Sequence, residues 1–248
     1  MIGNGTLNGR RILLTRAAED AADWAAQLVA LGAAPIVLPC LTTELIDDAA
    51  TRSALARAVE VADWVVVSSP RGVAALAAMY DAALPRRVSV AAVGPATARA
   101  CRERLGRTPL VSAEQTATGL GRQLAAVLAN TNTGTTRQVV MVGAVGGRTD
   151  ADDELVAAGA AVTRVDVYRT IPVPLVATKR DLTDDGVEDV WLASPSAVQG
   201  LLNCALVPRT TRVITIGPTT SAAAVAAELP VSAEAARPTF EAMLEAMT

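Results

Sequence analysis

The stretch Asp63-Trp-Val-Val-Val-Ser-Ser-Pro-Arg-Gly-Val73 decides the fold class. Three valines after Trp64 read as a strand buried on both faces, the pattern of a parallel sheet. The Ser-Pro that follows reads as a helix start, because Ser is a favoured cap and Pro is favoured at the first helical position. A strand therefore runs almost directly into a helix, whose amino end stands just beyond the strand's carboxyl end. The same junction recurs at Val93-Gly-Pro-Ala-Thr97, Ala193-Ser-Pro-Ser-Ala-Val198 and Ile216-Gly-Pro-Thr-Thr220.

Outward from these junctions, short apolar runs alternate with Ala-rich helical stretches. Arg11–Leu14 reads as a strand, Ala17–Leu31 as a helix with Gly32 as its stop, and Pro35–Leu41 as the next strand. Trp64–Val67 precedes a helix over Val73–Met79. Val88–Val93 feeds a helix at Ala96–Leu105, and Gly119–Leu128 is another. After a polar, Thr-rich loop over Asn130–Arg137 the order starts again. Strands are expected at Gln138–Val142, Val162–Tyr168, Val190–Ala193 and Val213–Ile216. The intervening helices are Asp150–Ala158, Ala197–Leu202, Thr219–Leu229 and Thr239–Met247. This alternation predicts an α/β protein with doubly wound parallel sheets.

The two passes superpose as an internal duplication. Leu31-Gly-Ala-Ala34 matches Ala158-Gly-Ala-Ala161 at a shift of 127, and Ser69–Val73 matches Ser194–Val198 at a shift of 125. Val93–Thr97 matches Ile216–Thr220 at a shift of 123, and Val111-Ser-Ala-Glu114 is echoed by Val231-Ser-Ala-Glu234. The period is about half the chain, too long for a solenoid. On this evidence alone a single boundary would fall near Thr131.

Composition narrows the chemistry. Of 248 residues 51% are apolar but only 2% aromatic, so the core is built from small and aliphatic side chains. A net charge of −3 with no basic, aromatic stripe argues against nucleic acid. The longest apolar runs are far too short to span a bilayer, and the polar, Gly-rich Met1–Asn8 has no secretory core. No membrane association and a cytoplasmic location are therefore expected. There is no His, which removes the Ser–His–Asp triad and the Cys–His dyad. The three cysteines, Cys40, Cys101 and Cys204, form no CxxC pair and read as small buried hydrophobes. With no His and no CxxC pair, a zinc site is not expected.

What remains is an anion site. Helix amino ends at the carboxyl edge of a parallel sheet present amides and a positive dipole end to anions. Hydroxyls at Ser68, Ser69, Thr97, Ser194, Ser196, Thr219 and Thr220 can add hydrogen bonds. One such turn is an ordinary helix cap; four of them, paired by duplication, predict a cleft between the halves for an anionic small molecule. No turn is a GxGxxG or a Walker loop, and Gly143-Ala-Val-Gly-Gly147 lacks the lysine.

The set of motifs Arg11-Ile-Leu-Leu-Thr-Arg16, Asp63–Val73, Val93–Thr97, Val167-Tyr-Arg-Thr170, Ala193–Val198 and Ile216–Thr220 resembles the uroporphyrinogen-III synthase family, from Arg10 to Met247. The resemblance implies two flavodoxin-like domains joined by a two-strand linker, the second inserted into the first. Domain 1 would be residues 1–39 plus 171–248 and domain 2 residues 41–169, overruling the boundary near Thr131. It implies a cofactor-free, monomeric lyase that closes hydroxymethylbilane into uroporphyrinogen III, in transient contact with hydroxymethylbilane synthase. Tyr168 matches the family's hinge-strand tyrosine and is implied as the general acid that expels the bilane hydroxyl. The eight substrate carboxylates would meet Arg16, Arg71 and Arg148, the hydroxyls named above, and the turn backbones at Gly94, Ala197 and Gly217. Two other classes stay open at this point: a catalytically silent synthase-like domain that senses a tetrapyrrole, and an unrelated two-lobed anion binder.

Overall fold

The computed structural model describes residues 7–130 and 135–247. Residues 131–134 of the loop expected over Asn130–Arg137, and residues 1–6 of the amino terminus, lie outside the described residues. In chain order the elements are β1 (Arg11–Leu14), α1 (Ala18–Ala30), β2 (Ala34–Val37), β3 (Leu41–Leu45), α2 (Ala49–Val61), β4 (Trp64–Val67), α3 (Pro70–Met79), β5 (Ser89–Ala92), α4 (Pro95–Leu105), β6 (Leu110–Val111) and α5 (Ala117–Asn130). Then come β7 (Gln138–Ala144), α6 (Asp150–Ala157), β8 (Ala161–Pro172), β9 (Arg180–Asp181), β10 (Asp189–Leu192), α7 (Pro195–Cys204), β11 (Ala205–Leu206), β12 (Arg212–Thr215), α8 (Pro218–Ala226), β13 (Ala233–Glu234) and α9 (Phe240–Met247).

The chain divides into two compact units. One is discontinuous, residues 1–42 with 171–248; the other is continuous, residues 43–170. Among the described residues the continuous unit carries a six-stranded sheet in the order β3-β8-β7-β4-β5-β6. The β7–β8, β4–β7, β4–β5 and β5–β6 pairings are parallel. Val65 and Val67 face one core, shared with Val73 and Leu76 of α3. Val66 faces another, shared with Leu120, Leu124 and Leu155 of α5 and α6. Burial on both faces is what the run of valines required. Helices α5 and α6 meet closely through Gly121, where a Cβ would come 2.9 Å from the Ala151 Cα.

The discontinuous unit carries a five-stranded parallel sheet in the order β13-β12-β10-β1-β2. Equating β4 with β10, β5 with β12, β6 with β13, β7 with β1 and β8 with β2 makes the two orders the same, apart from the extra β3. The order along the chain differs: β1-α1-β2 begins one unit, whereas its counterpart β7-α6-β8 ends the other. One unit is a circular permutation of its twin.

The correspondence reaches single hydrogen bonds. Gly32 and Gly159 end α1 and α6 with the same φ of +83°, a left-handed turn in which glycine is the unstrained residue. The following Ala33 and Ala160 donate to the Leu28 and Leu155 carbonyls at 3.0 and 3.1 Å. At the opposite sheet edge the Arg11 N–H donates to Glu188 Oε1 at 3.1 Å, and its counterpart Gln138 donates to Asp63 Oδ2 at 2.9 Å.

Six elements were not anticipated: the two-residue strands β6, β9, β11 and β13, helix α2 and strand β3. Helix α2 is capped by Asp48, which accepts the Thr51 N–H at 2.8 Å, and buries Leu55, Ala58 and Val59. Strand β3, Leu-Thr-Thr-Glu-Leu, is largely exposed and extends the sheet beside β8. The Ser-Pro and Gly-Pro helices begin at the prolines themselves, one to three residues earlier than the sequence reading placed them. No helix among the described residues is long and apolar enough to cross a membrane.

Candidate functional site

In the continuous unit, Ser68 and Ser69 follow the last residue of β4, and they diverge. Ser69 caps α3: its Oγ accepts the Gly72 N–H at 3.1 Å and lies 3.0 Å from the Tyr168 hydroxyl. Arg71 is half-buried in the first turn of α3. Gly72 packs beneath the serine and the tyrosine: a Cβ there would meet the Val142 carbonyl at 3.4 Å and the tyrosine ring at 4.0 Å, ordinary contact distances.

Tyr168 reaches Ser69 because β8 is bulged. Gly143 pairs with Asp166 but Ala144 pairs with Tyr168, leaving Val167 as an extra residue. A regular strand sends successive side chains to opposite faces. Here Val167 and Tyr168 both enter the core beside α3, at 0% and 6% exposure. Bulges re-aim side chains in this way, and without it the tyrosine would share the face of Asp166. The Tyr168 carbonyl accepts the Val145 N–H at 2.9 Å, which pins the bulge to the loop after β7.

Ser68 turns to the other face. There a cleft of about 210 Å³ is floored by Val66, Leu120 and Met141 and edged by Ser68, Gly147, Arg148 and Arg164. Its volume is below the ~300–1,000 Å³ of a pocket for a whole ligand, so it suits one arm of a larger molecule. Arg164, which the sequence reading did not single out, donates to the Arg148 carbonyl at 2.7 Å and pairs with Asp152 at 3.3 Å. Burial pushes the Asp152 carboxyl above its ordinary value, and the Arg164 charge only partly opposes this. Arg148 is exposed and paired with Asp150 at 2.6 Å, which raises the arginine's pKa and lowers the carboxylate's. The signal for Arg164 was its place in Val162-Thr-Arg-Val-Asp-Val167, where charges alternate with valines on a strand flanked by helices.

Gly94 caps α4 in extended backbone, φ −146°, with nothing within 4 Å of where a Cβ would stand. Its neighbour Thr97 is only 4% exposed, so the turn offers a ligand its backbone rather than that hydroxyl.

The discontinuous unit repeats these features. Ser194 caps α7 by accepting the Ala197 N–H at 3.2 Å, which engages that amide and leaves the serine O–H able to donate. Ala197 itself is buried and Ser196 is half-buried at the helix surface. Gly217 caps α8 at φ 166°, again in open space; Thr219 is exposed and Thr220 is 1% exposed. Arg16, just past β1, stacks on the Trp24 ring at 4.5 Å. Trp24 in turn meets Trp191 and Phe240 edge-on, each with ring centroids 5.8 Å away. The guanidinium is thus held by cation–π attraction at the sheet's carboxyl edge. At the end of β12 the Thr215 hydroxyl is 2.6 Å from Ser221 Oγ, and that serine donates to Glu234.

The junction read from Ser-Pro and Gly-Pro is therefore built four times, in each case at the carboxyl end of a parallel strand. A family model described as uroporphyrinogen-III synthase HemD matches residues 22–245. A comparison with curated proteins returns no match. Among solved structures, a mutant uroporphyrinogen III synthase of the extreme thermophile Thermus thermophilus is similar at 17% identity and a TM-score of 0.49, over 96% of this chain and 97% of that one. The uroporphyrinogen-III synthetase of Helicobacter pylori is similar at 14% identity and a TM-score of 0.49, over 95% and 97%. Matched by the family's model from the first helix to the last, the chain belongs to the uroporphyrinogen-III synthase family.

Proposed function

We propose that this chain closes hydroxymethylbilane into uroporphyrinogen III, with inversion of the terminal pyrrole ring and loss of water, and that Tyr168 is its proton donor. The bond between the hydroxymethyl carbon and its oxygen breaks only when that oxygen leaves as water. The phenol supplies that proton, and the terminal ring attacks the freed methylene carbon through its already substituted α-carbon. The bond from that α-carbon to its old bridge breaks and re-forms at the ring's other α-carbon, and the proton lost from that second carbon restores the phenol. The chain has no His, an arginine does not release its proton at neutral pH, and an added carboxylate would repel a substrate of eight carboxylates. The observation that carries the assignment is the Ser69–Tyr168 contact. With the Gly72 N–H occupying one lone pair of Ser69 Oγ, the serine O–H can turn to the phenolate and stabilise it at the moment the proton departs.

The remaining work is positioning. Substrate carboxylates are taken by the helix starts at Ser68, Arg71, Gly94, Ser194, Ser196, Thr219 and Gly217, by Arg16, and by the cleft between Arg148 and Arg164. The buried Thr97, Ala197 and Thr220 shape the turns from beneath. The protein acts in the cytoplasm as a monomer and receives its bilane in transient contact with hydroxymethylbilane synthase, a transfer favoured because the free bilane closes by itself to isomer I. The test is a coupled assay from a hydroxymethylbilane source with product isomers separated. Isomer III should dominate without added metal or nucleotide; an unchanged isomer I pattern at high protein concentration rejects the enzyme and favours a silent sensing domain.

A further inference from the structure

Cys40 and Cys204 lie 164 residues apart in sequence, yet their sulfurs are 3.8 Å apart within the discontinuous unit. The approach is built in. Gly200 packs so tightly that a Cβ would stand 1.8 Å from the Cys40 carbonyl oxygen, and Cys204, four residues on, occupies the same face of α7. Cys40 is fully buried and Cys204 half-buried at the helix's last residue. The position is also special in the chain. The Cys40 carbonyl accepts the Val173 N–H at 3.0 Å, so it joins the strand that leaves this unit to the strand that returns. Asn203, beside Cys204, donates to the Val173 carbonyl at 2.7 Å. One helix end therefore holds both connections.

We propose that Cys40 and Cys204 are an oxidative modification site, closing to an intramolecular disulfide that fastens both connections to α7. The oxidant is a peroxide. The accessible Cys204 thiolate attacks it, the O–O bond breaks, and a sulfenic acid forms as hydroxide leaves. The Cys40 sulfur then displaces the sulfenic oxygen as water; in sum two thiols and one hydrogen peroxide give one disulfide and two waters. Cys40 is not the sulfur that meets the peroxide, because burial beside Cys204 keeps it protonated and out of reach of solvent oxidants; its proton leaves with the displaced sulfenic oxygen as the S–S bond forms. Its proton rests on the Leu38 carbonyl, 3.2 Å away. Closure needs the two sulfurs to approach by roughly 1.8 Å to reach a bonding distance of about 2.05 Å. A thiol reductant reverses the reaction by exchange.

The test treats the folded full chain with hydrogen peroxide, blocks residual thiols and maps the peptides. Free thiols should fall from three to one, leaving Cys101, whose pKa burial pushes up to about 11. The Cys40 and Cys204 peptides should be joined within one chain, and dithiothreitol should release them. Hydrogen exchange at residues 38–42 and 171–173 should slow on oxidation, and Cys204→Ser should abolish both changes. Persistence of all three thiols, a cross-link between chains, or Cys204 ending as sulfinic acid with Cys40 still free would each overturn the proposal. None of these readouts depends on enzymatic activity.

Discussion

The Tyr168 hydroxyl sits 3.0 Å from Ser69 Oγ across 99 residues of sequence, and the contact exists only because one extra residue, Val167, rotates the end of β8. Tyr168→Phe keeps the ring in its core and removes the proton. A positioned general acid contributes about 10²–10⁴-fold, and substrate carboxylic acids or water can partly replace it. The variant should therefore lose about 10²-fold in kcat or less, still yield isomer III, and unfold like the parent. Ser69→Ala should instead lose about 1 kcal/mol of stability with its helix cap and a smaller part of kcat. A Tyr168→Phe protein as fast as the parent would leave the phenol a packing group. A folded one that produces isomer I would make it a positioning group for the terminal ring.

The Arg148 side chain edges the cleft and is paired with Asp150 at the surface. Arg148→Gln should leave folding unchanged and raise KM several-fold with kcat intact, the signature of lost uniform binding. A fall in kcat at constant KM would place this arginine at the reacting ring instead.

Asp152 gives a pH dependence of defined sign. Its folded pKa is raised above the ordinary 3.8 by desolvation, so across that window the folded state binds more protons than the unfolded one. Stability from this group is full below 3.8 and is lost as pH rises through the higher folded value. Asp152→Asn removes the titration, so urea unfolding of variant and parent should favour the variant increasingly as pH rises past 3.8, until the folded carboxyl is ionised. A difference that shrinks with rising pH would mean that the pairing with Arg164 outweighs the desolvation.

The strand–turn–helix junctions were legible in the sequence because Ser, Gly and Pro act locally at a cap. The helix starts lay at the prolines because proline is itself the first helical residue. Helix α2 went unread although Asp48 and Thr51 form its cap: its residues Ala49-Ala-Thr-Arg-Ser-Ala-Leu-Ala-Arg-Ala-Val-Glu-Val61 bury only Leu55, Ala58 and Val59, a faint stripe. Tyr168 was reached through family resemblance, since no composition or spacing rule reveals a bulge formed between β7 and β8. The Cys40–Cys204 approach was equally invisible, because it depends on a helix–backbone contact permitted by Gly200.

Glycines offer the sharpest division between fold and function. Gly94 and Gly217 have extended backbones at φ −146° and 166°, and a Cβ at either would meet nothing within 4 Å. The fold places no steric demand on them, and alanine should lose only about 1 kcal/mol for a poorer cap. Gly200 is the opposite case, with 1.8 Å between a Cβ and the Cys40 carbonyl oxygen; alanine there should lose about 3 kcal/mol or more through overpacking. Urea unfolding should separate the three variants in this way. If the Gly94 and Gly217 turns receive substrate carboxylates on their amides, the added methyl group stands where the substrate must approach. Gly94→Ala and Gly217→Ala should then fold nearly as the parent does, yet bind uroporphyrinogen III at least tenfold more weakly, since charge-assisted hydrogen bonds contribute roughly 1.5–3 kcal/mol each. Parent-like product binding by both variants would show that these turns are helix caps and nothing more, and would move the carboxylate sites to Arg16 and to the Arg148–Arg164 cleft.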